Sequence, residues 1–215
     1  MSIAEDLVRH CPRIASDAAL GELVWQFNYD LIYGHTTWNT DLAIGPPPPQ
    51  TEIPEPGPLG MAKANPSTVR IAVEIKGVMT EHRKAIKNRK RDLEAHHAHV
   101  HNYDSSTIAG GVIVINASPT FLSPLRGGAL TTHRNPADLV THCVNEVGNI
   151  SATGGTNQVG LDAVAALVVD MSNVERNQAS FLIAPPAPQV GHPAHWDSFI
   201  QRICNAYVTR FAKGD

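Results

Sequence analysis

The stretch that decides the fold is Thr68-Val69-Arg70-Ile71-Ala72-Val73-Glu74-Ile75-Lys76. From position 71 onward, isoleucine or valine occupies every second position, which is the period of a β-strand with one face in a core. Glu74 and Lys76 then share the opposite face. Because a buried strand rarely keeps two ionisable side chains without a partner or a function, this carboxylate and this ammonium predict a metal site beside a positive charge.

A second acidic residue lies in the alternating stretch Thr40-Asp41-Leu42-Ala43-Ile44. This strand should end at Gly45, because the four prolines that follow fix φ and remove backbone donors. If the two strands pair, Asp41 and Glu74 converge beside Lys76. Two carboxylates with room for water suit Mg²⁺ or Mn²⁺ better than zinc, and bound phosphate oxygens would complete the coordination sphere.

This arrangement of two acids and a lysine resembles the PD-(D/E)xK nuclease superfamily, which includes many type II restriction endonucleases. The resemblance includes residues 74–85, in which a helix follows the catalytic strand. It covers residues 20–117, and the C-terminal half only in outline. Thr40 occupies the position before the first acid, where the superfamily pattern has proline. The resemblance implies an α/β fold with a restriction-endonuclease-like central mixed β-sheet flanked by helices, and residues 1–215 are expected to form a single domain of this type.

The resemblance also assigns roles to individual residues. Asp41, Glu74 and Lys76 would be catalytic. Asp41, Glu74 and the backbone carbonyl of Ile75 would bind Mg²⁺, for which Mn²⁺ can substitute. A helix before the first acid would contribute Glu22 as a further metal ligand.

The implied function is Mg²⁺-dependent hydrolysis of phosphodiester bonds in double-stranded DNA by a site-specific type II restriction enzyme. Such an enzyme is expected to be a homodimer, since palindromic DNA matches two-fold symmetry. Two alternatives stay open: a structure-selective nuclease of DNA repair or recombination, and a non-catalytic DNA-binding protein on the same scaffold. In a purely structural interpretation, Glu74 and Lys76 form a solvated strand face and Asp41 lies in a turn.

Charge is distributed unevenly along the chain, although the net charge is only −3. Residues 1–60 contain 2 basic and 8 acidic side chains, whereas residues 61–101 contain 9 basic and 4 acidic ones. A polyanion would be drawn to the second segment, which is predicted to form a helix over residues 80–101. One flank of this helix could contact DNA phosphates, although a solvated helix face has the same composition. The basic side chains of this flank are Arg83, Lys84, Lys87 and Arg91.

Four histidines lie near the end of this predicted helix. Two of them are four residues apart, a spacing at which two imidazoles share a helix face and can bind zinc. No flanking carboxylate or cysteine completes such a site, and histidines in a last turn interact well with the helix dipole. A structural role is therefore favoured for His96, His97, His99 and His101.

The three cysteines, Cys11, Cys143 and Cys204, are far apart and match no zinc or disulfide spacing. This favours a reducing compartment, and a cytoplasmic location is expected. Cys143 is expected to be a buried thiol rather than a nucleophile. The N-terminus lacks the pattern of a signal peptide, and the apolar run 163–169 is too short to span a bilayer, so no membrane partner is expected.

The remaining patterns complete an α/β architecture. Apolar residues at helical spacing predict a helix over residues 17–33. Further strands are predicted over 110–116 and 165–170, and further helices over 136–147 and 194–211. The segments 45–67, 118–134 and 171–192 are predicted to be irregular, because they are rich in proline, glycine and polar residues. Side chains in or directly after the last two segments that could contact base edges are Arg126, Arg134, Asn135, Asn173, Arg176, Asn177 and Gln178.

Overall fold

The computed structural model describes residues 2–49, 52, 54–57, 60–123, 126–150, 160–174 and 179–211. The helices over these residues are α1 (Ile3–His10), α2 (Pro12–Ala19), α3 (His82–Tyr103), α4 (Pro136–Gly148) and α5 (Trp196–Phe211). The strands are β1 (Val24–Tyr33), β2 (Thr36–Gly45), β3 (Ala62–Lys63), β4 (Ile71–Val78), β5 (Ile108–Asn116), β6 (Thr120–Ser123), β7 (Ala129–Thr132), β8 (Ala163–Asp170) and β9 (Ser180–Phe181).

In the described part of the chain, seven strands form one mixed sheet in the order β3-β1-β2-β4-β5-β8-β9. β2 is antiparallel to both β1 and β4, whereas β4, β5 and β8 run parallel to one another. Parallel neighbours need a crossover connection, and α3 and α4 provide the two crossovers. The prediction of an α/β fold with a large mixed sheet flanked by helices is therefore confirmed.

Helices cover both faces of the sheet. On one face, α3 buries Ile86, Leu93 and Val100, which recur every seven residues, or about two helical turns, and are fully inaccessible. Each such burial contributes roughly 1.5–3 kcal/mol. On the other face, α1, α2 and α5 pack around a second core that includes Leu7 and Phe199.

Two glycines in β5 allow these helices to approach the sheet closely. A Cβ atom on Gly110 would lie 3.3 Å from the Phe199 ring of α5. On the opposite face, a Cβ on Gly111 would lie 2.9 Å from a Leu93 methyl group of α3. The close approach of α3 brings this helix against the face of β4 that carries Glu74.

The helix predicted over residues 17–33 is wrong. α2 ends at Ala19, Gly21 takes a left-handed φ of 70°, and Val24–Tyr33 forms β1. Two of the apolar residues that suggested a helix are substantially exposed, Leu20 at 71% and Phe27 at 47%. Pairing with β2 along almost the whole strand overrides the helical spacing, and the aromatic residues of this segment favour a strand.

The other predicted elements are confirmed with shifted ends. β2, β4, β5 and β8 contain or overlap the predicted strands, and α3, α4 and α5 match the predicted helices within a few residues. Two of the segments predicted to be irregular contain short edge strands, β3 and β9, and the third contains the β6–β7 hairpin. Arg176, Asn177 and Gln178 lie outside the described residues. The Asn173 side chain bonds the backbone of Leu122, which gives it a structural role.

The expectation that the cysteines form no disulfide is also wrong. Cys11 precedes α2 and Cys204 lies in α5, and the two form a disulfide with a Cα–Cα distance of 5.6 Å. The cysteine argument for a reducing compartment therefore does not hold. Cys143 is a buried free thiol, as predicted, and burial raises its pKa to about 12.

No helix in the described ranges is both long enough and apolar enough to cross a membrane.

Candidate active site

The antiparallel pairing of β2 with β4 brings the two predicted acids together. The register aligns Leu42 with Val73 at the end of the paired stretch. Just beyond this pair lie Asp41, which precedes Leu42 on β2, and Glu74, which follows Val73 on β4. Asp41 Oδ2 accepts a hydrogen bond from the Ile75 backbone N–H at 2.6 Å. The strands themselves therefore hold the first acid beside the second.

Thr40 strengthens this junction. It is fully buried, and its hydroxyl donates a hydrogen bond of 3.0 Å to the carbonyl of Val73. Thr40 thus ties β2 to the strand that carries Glu74.

Glu74 is buried, with a residue exposure of 3%. Its Oε1 accepts a hydrogen bond from Lys76 Nζ, whereas its Oε2 is buried without a hydrogen-bond partner among the described residues. Burial raises the pKa of Glu74 above its usual value, and the Asp41 carboxylate raises it further, while the hydrogen bond from Lys76 opposes the shift. The site therefore combines two acids that repel each other with one ammonium group that offsets part of their charge.

His96 of α3 packs against the same carboxylate. Its Nδ1 lies 3.7 Å from Glu74 Oε2, and the side chain is fully inaccessible. Burial lowers the pKa of His96 to about 4. The imidazole is therefore neutral near pH 7, and it does not form an ion pair with Glu74.

The donor set fits a hard divalent cation. Asp41 and Glu74 supply carboxylate oxygens, and Glu74 Oε2 is an orphaned buried acceptor. Within the described ranges, no three His, Cys, Asp or Glu side chains are grouped so that they could hold a metal ion. A pair of carboxylates is the protein ligand set with which Mg²⁺ is usually held, because this ion keeps several waters.

Glu22 is not part of this arrangement. The helix that was expected to carry it ends at Ala19, and Glu22 is exposed in the turn before β1. β1 begins at Val24, whose partner on β2 is Gly45. Because Gly45 is four residues from Asp41, or about 13 Å along an extended strand, Glu22 lies at the far end of the strand pair.

The predicted basic flank is exposed on α3 but points away from Glu74. Lys87 precedes His96 by nine residues, which is about half a turn around a helix. The other three basic residues also lie roughly 120° or more from His96 around the helix axis. Among the described residues none of the four forms an ion pair, whereas Lys90 bonds Glu146. The exposed residues of this flank are Arg83, Lys84, Lys87 and Arg91.

The four histidines of α3 have different surroundings, and no group of three side chains that could hold a metal ion occurs among the described residues. His96 faces Glu74, and His97 accepts a hydrogen bond from the Gly160 N–H at 3.3 Å while its ring packs on that of His101. The His99 ring stacks on a tryptophan of β2, with ring centroids 4.1 Å apart. The structural interpretation of the cluster is thus supported for all of them except His96.

Sequence reasoning missed that His96 lies beside Glu74 and that Trp38 bonds to His96. Trp38 Nε1 donates a hydrogen bond of 3.3 Å to His96 Nδ1. No local motif signals this contact, because it joins the β1–β2 hairpin to a helix 58 residues further along the chain. The sequence feature that could have indicated the contact is a histidine on the apolar stripe of α3, because a buried polar ring needs hydrogen-bond partners.

In the comparisons with known proteins, no family model, no curated protein and no solved structure matches this chain.

Proposed function

We propose that this protein is a Mg²⁺-dependent endonuclease that hydrolyses phosphodiester bonds in double-stranded DNA, as a site-specific enzyme of the type II restriction class. The observation that carries the proposal is the pairing of Asp41 and Glu74 on neighbouring strands, with Lys76 bonded to the second acid. These are the three residues on which the resemblance to the PD-(D/E)xK superfamily rests.

We also infer that the core is restriction-endonuclease-like. The strand that carries Glu74 and Lys76 is followed directly by a long helix, as in the enzymes that the sequence resembles, and this helix packs on the face of the sheet that carries Glu74. The antiparallel β1–β2–β4 unit supplies the first acid, and the parallel strand β5 extends the sheet on the other side.

The residues of the site divide the chemistry between them. Asp41, Glu74 and the Ile75 carbonyl would hold Mg²⁺, which when bound lowers the pKa of a water ligand and stabilises charge on the phosphate and the leaving oxygen. Lys76 keeps a positive charge beside Glu74. Its ammonium group can donate hydrogen bonds to the attacking water or to a phosphate oxygen, and so orients the nucleophile.

The basic flank of α3 is proposed to contact DNA phosphates at a distance from the cleavage site. Its four side chains are exposed and make no ion pair with the described residues, which leaves their charge available to a polyanion. Because these side chains lie on the opposite flank of α3 from His96, they would contact phosphates outside the segment of DNA that reaches Glu74. A homodimer is proposed because cutting both strands of a palindromic site requires two such centres.

The experiment that tests the function is digestion of phage-length DNA with Mg²⁺, with Mn²⁺ and with a chelator. Discrete fragments would support a site-specific enzyme, whereas a smear or cutting confined to branched DNA would support the structure-selective alternative. Lys76→Ala should abolish cleavage but retain DNA binding. The matched control is Lys63→Ala, which removes an exposed lysine from β3 of the same sheet.

Calorimetry separates a catalytic site from an inactive scaffold. The wild-type chain should bind Mg²⁺, and Asp41→Asn should lose this binding. A wild-type chain that binds DNA but neither Mg²⁺ nor Mn²⁺ would contradict the nuclease assignment. Cleavage by Lys76→Ala at a near wild-type rate would contradict the role of this lysine.

A further inference from the structure

One oxygen of the buried Glu74 carboxylate faces an acceptor rather than a donor. Glu74 Oε2 has no hydrogen-bond partner among the described residues, and the atom opposite it, at 3.7 Å, is His96 Nδ1. A carboxylate oxygen buried in this way would normally take a hydrogen bond, because an unsatisfied charged acceptor has lost its hydration without replacement. Its neighbour could supply that bond if the ring carried its proton on Nδ1.

Trp38 prevents this arrangement. An indole N–H can only donate a hydrogen bond, and it donates to His96 Nδ1 at 3.3 Å. In the neutral ring, Nδ1 must therefore be the unprotonated nitrogen. The proton resides on Nε2, which lies 3.5 Å from the Ala72 carbonyl oxygen and donates toward it.

Resting on the nuclease function proposed above, we propose that Trp38 and His96 are positioning residues that keep hydrogen-bond donors away from Glu74 Oε2 and so reserve this oxygen for a divalent cation. Trp38 fixes the tautomer of His96, so the ring nitrogen that lies 3.7 Å from Glu74 Oε2 carries no proton to donate. Two acceptors 3.7 Å apart favour a cation near Oε2. A donor at the same place would compete with the cation for Oε2.

The proposal makes a specific claim about Trp38→Phe. Phenylalanine retains an aromatic ring against His99 but lacks the N–H group. His96 is then free to protonate Nδ1 and donate to Glu74 Oε2, at the loss of a weak contact with Ala72. Changes to groups that orient a metal ligand typically reduce metal affinity by about 10- to 100-fold, and the affinity of Trp38→Phe for Mg²⁺ should fall within that range.

Trp25→Phe is the matched control. Trp25 lies on the neighbouring strand β1, is 8% exposed, and donates its indole N–H to the Met61 carbonyl at 3.1 Å. The Trp25→Phe variant therefore loses the same ring atoms and one hydrogen bond as Trp38→Phe, but in the core on the other face of the sheet. Its affinity for Mg²⁺ should equal that of the wild type, even if its stability falls.

The test combines calorimetry with Mg²⁺ alone and ¹⁵N NMR of the histidine rings in the full chain without metal. NMR should show Nδ1 of His96 unprotonated in the wild type and protonated in Trp38→Phe, a readout that a merely structural role of Trp38 would not move. Observation of a protonated Nδ1 in the wild type overturns the proposal, and this measurement needs no variant to fold.

The calorimetric outcomes distinguish this inference from the function on which it rests. Equal Mg²⁺ affinity of Trp38→Phe and Trp25→Phe, with binding by the wild type, overturns the positioning role alone. Absence of Mg²⁺ binding by the wild type overturns the proposed nuclease function together with this role.

Discussion

Replacing His96 by leucine should remove a large part of the acid sensitivity of the fold. The pKa of His96 is lowered by burial to about 4, whereas an exposed histidine titrates near 6.5. Below pH 6.5 the unfolded chain takes up a proton that the folded chain refuses, so the free energy of unfolding falls as the pH falls from 6.5 to 4. At 1.36 kcal/mol per pKa unit, this loss reaches about 3 kcal/mol.

The assay is urea unfolding of the metal-free protein at several pH values between 7 and 4. The stability of the wild type should decrease by about 3 kcal/mol more than that of His96→Leu over this interval. Leucine has no titrating group and is of similar size, so any constant loss of packing cancels in the comparison between pH values. His10→Leu, which removes an exposed histidine from α1, should instead follow the wild type.

Parallel pH profiles for the wild type and His96→Leu would refute the reasoning. They would mean that the ring is accessible to protons in the folded state, and that α3 does not seal it against β4.

Two further predictions concern the stability of the fold. The disulfide between Cys11 and Cys204 closes a loop with a sequence separation of 193 residues. Loop-closure entropy predicts that it stabilises the fold by about 5 kcal/mol. Urea unfolding of Cys204→Ala should show a loss of stability of this order, and an unchanged unfolding midpoint would contradict the prediction. The raised pKa of Glu74 means that folding disfavours the charged carboxylate, so the stability of the wild type falls as the pH rises above the usual glutamate pKa. Glu74→Gln carries no such charge and should therefore stabilise the metal-free protein above this pH. A thermal melt at pH 7 measures this, and a lower melting temperature than wild type would contradict it.

The parts of the fold that could be predicted are those in which local pattern and tertiary environment agree. The alternation that begins at Ile71 predicts β4, because Ile71 and Val73 are buried in one core, although Ile75 is 38% exposed. The seven-residue recurrence of Ile86, Leu93 and Val100 predicts α3. β1 was not predictable in this way. Its apolar residues fit a helical spacing, and only the presence of β2 as a partner decides for a strand.

The candidate site also has parts that could be predicted from the sequence and parts that could not. Asp41, Glu74 and Lys76 could be predicted because strand alternation fixes the face of each side chain and pairing does the rest. The orientation of α3 could not, since it depends on which helical stripe packs on the sheet. That orientation places His96 against Glu74 and turns Lys87 away. The disulfide was equally hidden, because its two cysteines meet only when the first and last helices pack together.

A second buried carboxylate in the same sheet indicates what Glu74 would look like in a purely structural role. Asp162 precedes β8 and its side chain is 4% exposed, against 5% for Glu74. Its Oδ2 accepts hydrogen bonds from the Ala109 N–H and from Arg210, and its Oδ1 accepts a second one from Arg210. A buried charge held for stability is satisfied on both oxygens, because an unpaired buried charge is strongly destabilising. Glu74 has equal burial but one bare oxygen, a neighbouring acid and a raised pKa. Such an arrangement weakens the empty fold and becomes favourable when a cation binds, which is the behaviour expected of a metal ligand.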